Sequence, residues 1–343
     1  MNNNTIKFLI DENDVGKRLD IILSEKVANF TRSNLKKMIE TNNVTVNNTI
    51  ITSPSKKIKL LDKVIVTLAG IKQENIKPNK IKLDIIYEDK DILVVNKPAG
   101  MVVHPGAGNY DATLVNALVY KYKNKLSNVN GYTRPGIVHR IDKATSGLLV
   151  VAKNNKSHAE LGRQFSEHSI ERTYQALVWG VIRPLGGRIE TLIGRSKKNR
   201  QLMTANTLTG KKAITNYVTK KVYSIKDIPK ISLIECKLET GRTHQIRVHM
   251  SYKGNPLLGD KQYGKKNLKF KKTNKEFNEK LLHLNRQALH AKSLGFIHPA
   301  TTKKILFSSN LPKDFDKLLS LLNKLADWKT TDLNIIIFYE RKK

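Results

Sequence analysis

GIVHRIDKATSGLLVVAKN, running from Gly136 to Asn154, decides how the rest of the chain is read. Leu148 to Ala152 form a short continuous apolar run of strand length, and the residues before it carry one acid, Asp142, between Arg140 and Lys143. Val138 and Ile141 tie the intervening loop to that run, so the loop has to lie against a core instead of trailing into solvent. In most basic proteins a carboxylate between two cations is a surface ion pair of little worth. At the mouth of a buried strand, a carboxylate needs a cationic or hydrogen-bonding partner to remain ionised, and an ionised carboxylate is what nucleophilic chemistry uses.

Working outward, TGRTHQIRVHM (Thr240–Met250) offers that partner. A turn at Thr240 and Gly241 leads into a short helix from about Thr243, ending before Gly254 and Pro256. This places Ile246 and Met250 toward a core with Arg247 beside them; the alternative for Arg247 is a surface arginine that meets phosphate. His244 and His249 do not have the i, i+4 spacing of a zinc-binding HExxH helix, so structural or RNA-facing roles suit them better. RTYQALVWGVI reads as a period-two strand holding Tyr174, either a functional aromatic or a core tyrosine with a satisfied hydroxyl.

Cys236, the single cysteine, excludes an intramolecular disulfide and a multi-cysteine metal site, and its place in ISLIECKLE suits a buried core thiol. DILVVNKPAG is a buried strand stopped by Pro98 and Gly100, with Lys97 expected to contact RNA backbone. The glycine-rich HPGAG reads as a plain turn that enters a helix near Asp111, and a further helix is expected at Ser157 to Glu167. FDKLLSLLNKLADW sets Phe315, Leu318, Leu319, Leu322 and Leu325 on one helical face. Strands and helices mix without strict alternation, which predicts an α+β fold with a mixed, mostly antiparallel sheet flanked by helices and loops.

A smaller helix-rich α+β module precedes it. DVGKRLDIILSEKV repeats Leu19, Ile22 and Leu23 at helical spacing with Lys17 and Arg18 at its start; a second helix, capped by Thr31, buries Leu35, Met38 and Ile39 and leaves Arg32, Lys36 and Lys37 outside. Val44 and Val46 alternate in a small strand, and KIKLLDKVIVTL is expected to supply a strand pair around Leu61 and Asp62. These boundaries divide the chain into an RNA-binding domain (1–68), a polar linker (69–82), a larger domain (83–330) and a tail (331–343).

Of the 343 residues, 39% are hydrophobic, enough for a sizeable core, and the formal net charge is +33. Basic residues recur in every segment, which points to a polyanionic partner, nucleic acid before a membrane surface. No stretch approaches a membrane span, and MNNNTIKFLIDENDV lacks a secretory pattern, so a cytoplasmic monomer is expected.

RLDIIL, TRSNLKKMIE and NVTVNN together resemble the small RNA-binding domain named after a primary-binding protein of the small ribosomal subunit. Two glycines usual in that family are replaced here by Asn42 or Asn43 and by Asn48, residues that tolerate left-handed backbone. GIVHRIDKATSGLLVVAK, RTYQALVWG and TGRTHQIRVHM, with the HPGAG loop, resemble the RNA pseudouridine synthases that modify the ribosomal RNA of the large subunit, in particular the synthase D type, from about Arg18 to Asp314. The family has Leu where Ile141 stands and Asp where Ala144 stands. The resemblance implies that Asp142 is the catalytic acid, that Arg247 pairs with it, that Tyr174 stacks on the target uracil and can help remove the proton from carbon 5, and that Arg140 fills the gap left by an everted nucleotide. It also implies isomerisation of uridine in large-subunit ribosomal RNA, free or within an assembling subunit. Reactant and product are isomers, so no cofactor or metal is required. A non-catalytic RNA-binding or ribosome-assembly factor, and the same chemistry on transfer RNA, are the competing readings.

Overall fold

Alternation at Val44 and Val46 builds the first of two sheets. The structure, a computed structural model, describes residues 5–27, 30, 32–68, 76–106, 108–123, 125–129, 134–264 and 274–326, without the side chains of 32–34. Its first part comprises β1 (Thr5–Leu9), α1 (Leu19–Lys26), α2 (Arg32–Glu40), β2 (Val44–Val46), β3 (Thr49–Ile50) and β4 (Lys63–Thr67), with strand order β1-β4-β2-β3. Leu19, Ile22 and Leu23 of α1 and Leu35, Met38 and Ile39 of α2 pack on Val44, Val46, Val64 and Val66 in one core. Asn42 and Asn48 hold φ of 63° and 64°, the left-handed backbone for which asparagine is a tolerated substitute for glycine.

The strand pair expected around Leu61 and Asp62 does not form. The Asp62 carboxylate accepts the Lys59 amide at 2.8 Å and the Asn47 side-chain amide at 2.8 Å, which closes a turn there. Only β4 follows, and it pairs with β2 and with β1, a strand the apolar pattern does not announce. The expected cap Thr31 and the tail 331–343 lie outside the described residues.

Of the segment read as a linker, residues 76–82 are described and lie on the larger domain. Asn79 donates its side-chain amide to the Asp111 carbonyl at 2.6 Å, and Asn116 donates its own to the Lys77 carbonyl at 2.8 Å.

The larger part comprises β5 (Ile85–Glu88), β6 (Ile92–Lys97), α3 (Leu114–Tyr122), β7 (Ser146–Ala152), α4 (Asn155–Ser166), β8 (Glu171–Trp179), β9 (Gly186–Arg195), β10 (Met203–Thr204), β11 (Lys211–Ile225), β12 (Ile228–Leu238), α5 (Gln245–Tyr252), α6 (Lys275–Leu284), β13 (Leu289–Ile297), β14 (Lys304–Ser308) and α7 (Lys313–Leu325). Ten strands form one sheet, β10-β9-β11-β12-β8-β13-β7-β6-β5 with β14 on β13. Among the described residues β13 with β7 is the parallel pair in an otherwise antiparallel sheet, so the expected mixed, mostly antiparallel α+β fold is what forms. α3 begins later than expected because Thr113, in a capping box with Asn116, caps it. α7 buries Phe315, Leu318, Leu321 and Leu322, with Leu319 and Leu325 half-buried beside them. Cys236 is a buried core thiol, as expected.

The parallel pair β7–β13 matters most for function, because β7 emerges directly from the Asp142 loop. Gly147 sits at this pairing with φ of 118°, and a Cβ there would lie 2.6 Å from the Ala291 amide nitrogen. No side chain fits that approach. Gly147→Ala should therefore cost more than ~3 kcal/mol and leave little soluble protein, which a denaturant titration checks.

Candidate active site

β7 is buried along its whole length, and this fixes the loop that precedes it. His139 accepts the Val150 amide at Nε2 (3.0 Å), fastening the HRID segment to the strand. The carbonyls of the loop then meet donors in turn. Asp142 O accepts the Thr145 amide at 3.1 Å; Lys143 O accepts the Gly100 amide at 2.8 Å and Lys97 Nζ at 3.3 Å; Ala144 O accepts an Arg286 guanidinium N–H at 3.3 Å. Backbone polar groups withdrawn from water require such partners, and beyond the local Thr145 amide the donors come from two distant parts of the chain, residues 97–100 and Arg286. Arg286 forms a two-pronged pair with Asp314 at 2.7 and 2.9 Å, so with alanine at position 144 the acid opposite Arg286 stands at the start of α7.

So held, Asp142 presents its carboxylate to Arg247. The Oδ2 oxygen lies 3.3 Å from a terminal nitrogen of the guanidinium, with the Asp142 side chain 21% exposed and that of Arg247 only 6%. Arg247 is fixed from behind. Its Nε and other terminal nitrogen donate to the two oxygens of Asp260 at 2.7 and 2.9 Å, the latter nitrogen also meets Gln262 Oε1 at 2.8 Å, and Cζ lies 4.8 Å over the Tyr263 ring. Burial alone would raise the Asp260 carboxyl; Arg247 and the amides of Tyr263 and Gln262 outweigh it and hold it below the usual range. Burial opposes the charge on Arg247 too, and Asp260 with Asp142 more than compensates. Planar, bidentate pairing of this sort orients a guanidinium as well as neutralising it.

Tyr174, on β8, lines the same cleft, and its hydroxyl makes no hydrogen bond among the described residues, unlike that of a satisfied core tyrosine. Burial pushes the phenol up, Arg172 opposes and Asp142 adds, so it stands neutral in the resting chain. The cleft encloses about 280 Å³, near the lower end of the roughly 300–1,000 Å³ of small-ligand sites. Asp142, Tyr174 and Arg247, from three separate stretches of sequence, are thus brought together. Arg140 is exposed at the rim, its guanidinium 3.3 Å from His104 Nε2. Of HPGAG, Ala107 lies outside the described residues; Gly106 and Asn109 exchange backbone hydrogen bonds, and the Asn109 side chain accepts Lys143 Nζ at 2.8 Å, which steadies the basic rim. A second hollow shares Arg140, Asp142 and Arg247 with the cleft and adds Lys143, Lys261 and Arg286.

Lys97 departs from expectation. It is 1% exposed, and its ammonium donates to the carbonyls of Pro98 and Met101 at 2.8 Å each as well as to Lys143 O, so it cannot lie along an RNA backbone. The last residue of β6 turns inward because the Pro98–Met101 turn aims its carbonyls at that position. Burial pushes this ammonium down to about 7, with Asp142 opposing and Arg286 adding to the shift. Between that value and the ordinary 10.5 the folded chain binds fewer protons here than the unfolded chain, so stability should rise with pH across the window. Lys97→Met should flatten that rise, as denaturant titrations at both ends of the window would show.

In the first domain Lys36 and Lys37 are exposed on α2, and Lys36 lies 3.5 Å from Glu40. Arg18 stands half-exposed and donates to both oxygens of Asp20 at 3.0 and 3.2 Å. The side chain of Arg32 lies outside the described residues. His249 is buried between the hydroxyls of Thr191 and Thr215, a structural role, whereas His244 lines the cleft and meets the Tyr263 hydroxyl at 2.8 Å. Asp260 is the functional residue that sequence reasoning passes over. Its signal is the run Gly259-Asp260 just after α5, with the glycine at φ of 71° pressed against the Arg286 backbone.

Comparison with known proteins covers the stretch of chain that holds most of this cleft. The RNA pseudouridylate synthase family matches residues 91–252, which include Asp142, Tyr174 and Arg247, and the S4 domain family matches residues 17–65. A Zymomonas mobilis protein called ribosomal large subunit pseudouridine synthase D is 46% identical over 321 residues, covering 93% of this chain and 98% of its own. A Buchnera aphidicola protein of the same name is 43% identical, covering 90% and 95%. Among solved structures, human RNA pseudouridylate synthase domain containing 1 matches with a TM-score of 0.51 at 26% identity, over 73% of this chain and 98% of its own.

Proposed function

Because this chain belongs to the RNA pseudouridine synthase family, we propose that it isomerises specific uridines of large-subunit ribosomal RNA, with Asp142 as the catalytic carboxylate. The reaction breaks the bond from ribose C1′ to uracil N1, turns the base, and joins C5 to C1′. One observation carries the assignment of roles: the Asp142–Arg247 pair at 3.3 Å in a cleft whose wall includes Tyr174. Arg247, immobilised by Asp260, fixes the carboxylate where the anomeric end of an inserted nucleotide would lie. Tyr174 offers a ring on which the detached base stacks while it turns, and its hydroxyl, neutral in the resting chain, can take the C5 proton only as it passes its own proton on to a base. Neither base nor sugar is reachable inside a helix, so the nucleotide has to be everted, and Arg140 at the rim is the side chain suited to fill the vacated place.

The basic hollow beside the cleft, with Lys143 and Lys261, suits the phosphates that flank the everted nucleotide. In this reading residues 1–68 form a separate RNA-binding domain whose Arg18, Arg32, Lys36 and Lys37 contact backbone, which positions the RNA without reading its sequence. The large-subunit substrate is supported by the names of the relatives and by the S4 domain, and a cytoplasmic place of action agrees with it. Mapping pseudouridines in ribosomal RNA from cells with and without this protein tests the substrate. Loss of particular large-subunit sites is expected; unchanged large-subunit sites with losses in transfer RNA would overturn it.

A further inference from the structure

Of the arginines that line the cleft, Arg172 lies beside Tyr174 and has no carboxylate partner among the described residues. Arg172 lies two residues before Tyr174 on β8, hence on the same face of the strand, and forms part of the cleft wall with Phe165 and Gly241. One terminal nitrogen donates to the Glu239 carbonyl at 3.2 Å, and Cζ lies 5.5 Å over the Phe165 ring, which in turn stacks on His139 at 4.5 Å. A Cβ at Gly241 would meet the other terminal nitrogen at 2.7 Å, so glycine leaves the guanidinium its room. Nε is buried without a hydrogen bond, and among the described residues no carboxylate forms an ion pair with this side chain. Arg247, a short way across the same cleft, is paired with two. Withdrawing a guanidinium from water without a counter-charge works against folding, and burial does lower its basicity. Its position beside Tyr174 suits a partner that arrives with the substrate.

The reaction supplies such a partner. When C1′–N1 breaks, the electron pair stays on the base, and uracil departs as an anion whose charge is shared by N1, O2 and O4. C1′ is left bonded to the Asp142 carboxylate or, after C2′ gives a proton to that carboxylate, as part of an unsaturated sugar; the base carries the same charge either way. C5 then bonds to C1′ as the Asp142 carboxylate leaves that carbon or, in the unsaturated-sugar route, as the carboxylate returns its proton to C2′; the C5 proton leaves and N1 gains one, so composition is unchanged.

We propose that Arg172 is a further catalytic residue, which donates to a carbonyl oxygen of the detached uracil anion and stabilises it while it turns. This rests on the reading of Asp142 and Tyr174 given above. An oriented donor aimed at developing charge lowers a barrier more than the starting state, and removal of one such group typically costs ~10²–10³-fold in rate.

The test uses the full chain and large-subunit RNA bearing either uridine or 5-fluorouridine at the modified position, with single-turnover rates of rearrangement. Fluorine makes the departing base a more stable anion that needs less help. Arg172→Met should lower the uridine rate about 100-fold with RNA affinity within a few-fold, and should lower the 5-fluorouridine rate about tenfold less. Arg172→Lys, which keeps stem and charge, should recover most of the loss and serves if the methionine variant does not fold. A uridine rate for Arg172→Met near wild type, or equal losses on both substrates, would overturn the proposal. Asp142→Asn run in parallel separates the two readings: if it stays active, the site assignment falls and this inference with it; if it is inactive while Arg172→Met is not, only the role of Arg172 falls.

Discussion

Asp142→Asn should yield a folded protein that binds RNA and forms no detectable pseudouridine. The amide keeps the shape of the carboxylate and removes its charge, its basicity and its nucleophilicity together. A carboxylate acting by proton transfer alone contributes ~10²–10⁴-fold, and one that also forms a covalent link contributes more. The fold should hardly notice, because Arg247 keeps both bonds to Asp260 and the 3.3 Å contact to a partly exposed Asp142 contributes about 1 kcal/mol or less. RNA affinity should stay the same or rise, since one negative charge leaves a basic cleft. Release of tritium from C5-labelled uridine, set beside a filter-binding titration, checks both halves. Product at the wild-type rate would refute the assignment.

The second large effect is on stability. Asp260 has a fully buried side chain that accepts two bonds from Arg247 and two from backbone amides. Asp260→Ala leaves a buried guanidinium with Asp142 as its remaining acid, and breaking a buried pair from one side costs roughly 3–5 kcal/mol. Activity should fall with it, because Arg247 would no longer be oriented. Denaturant unfolding of this variant against Asp142→Asn makes the contrast plain: one acid serves chemistry with little effect on the fold, and the other sustains the fold on which that chemistry depends. A marginal stability change in Asp260→Ala would mean that Arg247 is held by something other than this pair.

Local order is legible in the sequence where period and burial coincide. The spacing of Leu19, Ile22 and Leu23, and of Leu35, Met38 and Ile39, names the faces that α1 and α2 bury, and the apolar run Leu148–Ala152 is a buried strand. Asp142 and Arg247 stand out because each lies beside such a run, whereas Tyr174 is singled out by the family resemblance; their meeting in one cleft follows from the packing of β7, β8 and α5. What escapes depends on distance along the chain. Asp260 looks like any acid in a turn until Arg247 lies against it. Lys97 looks like a surface lysine until three carbonyls enclose its ammonium. β9 and β11 expose charged residues at many positions, so no continuous apolar run announces them, while β1 becomes a strand only because β4 offers it an edge.

The central claim is that one everted uridine enters the cleft between Asp142 and Tyr174. A structure of this chain bound to a large-subunit RNA fragment carrying 5-fluorouridine at the modified position tests it most directly. The base should be stacked on the Tyr174 ring, with C1′ of its sugar within contact of the Asp142 carboxylate and Arg247 still joining Asp142 to Asp260. A base seated elsewhere, with Asp142 facing only water, would contradict it.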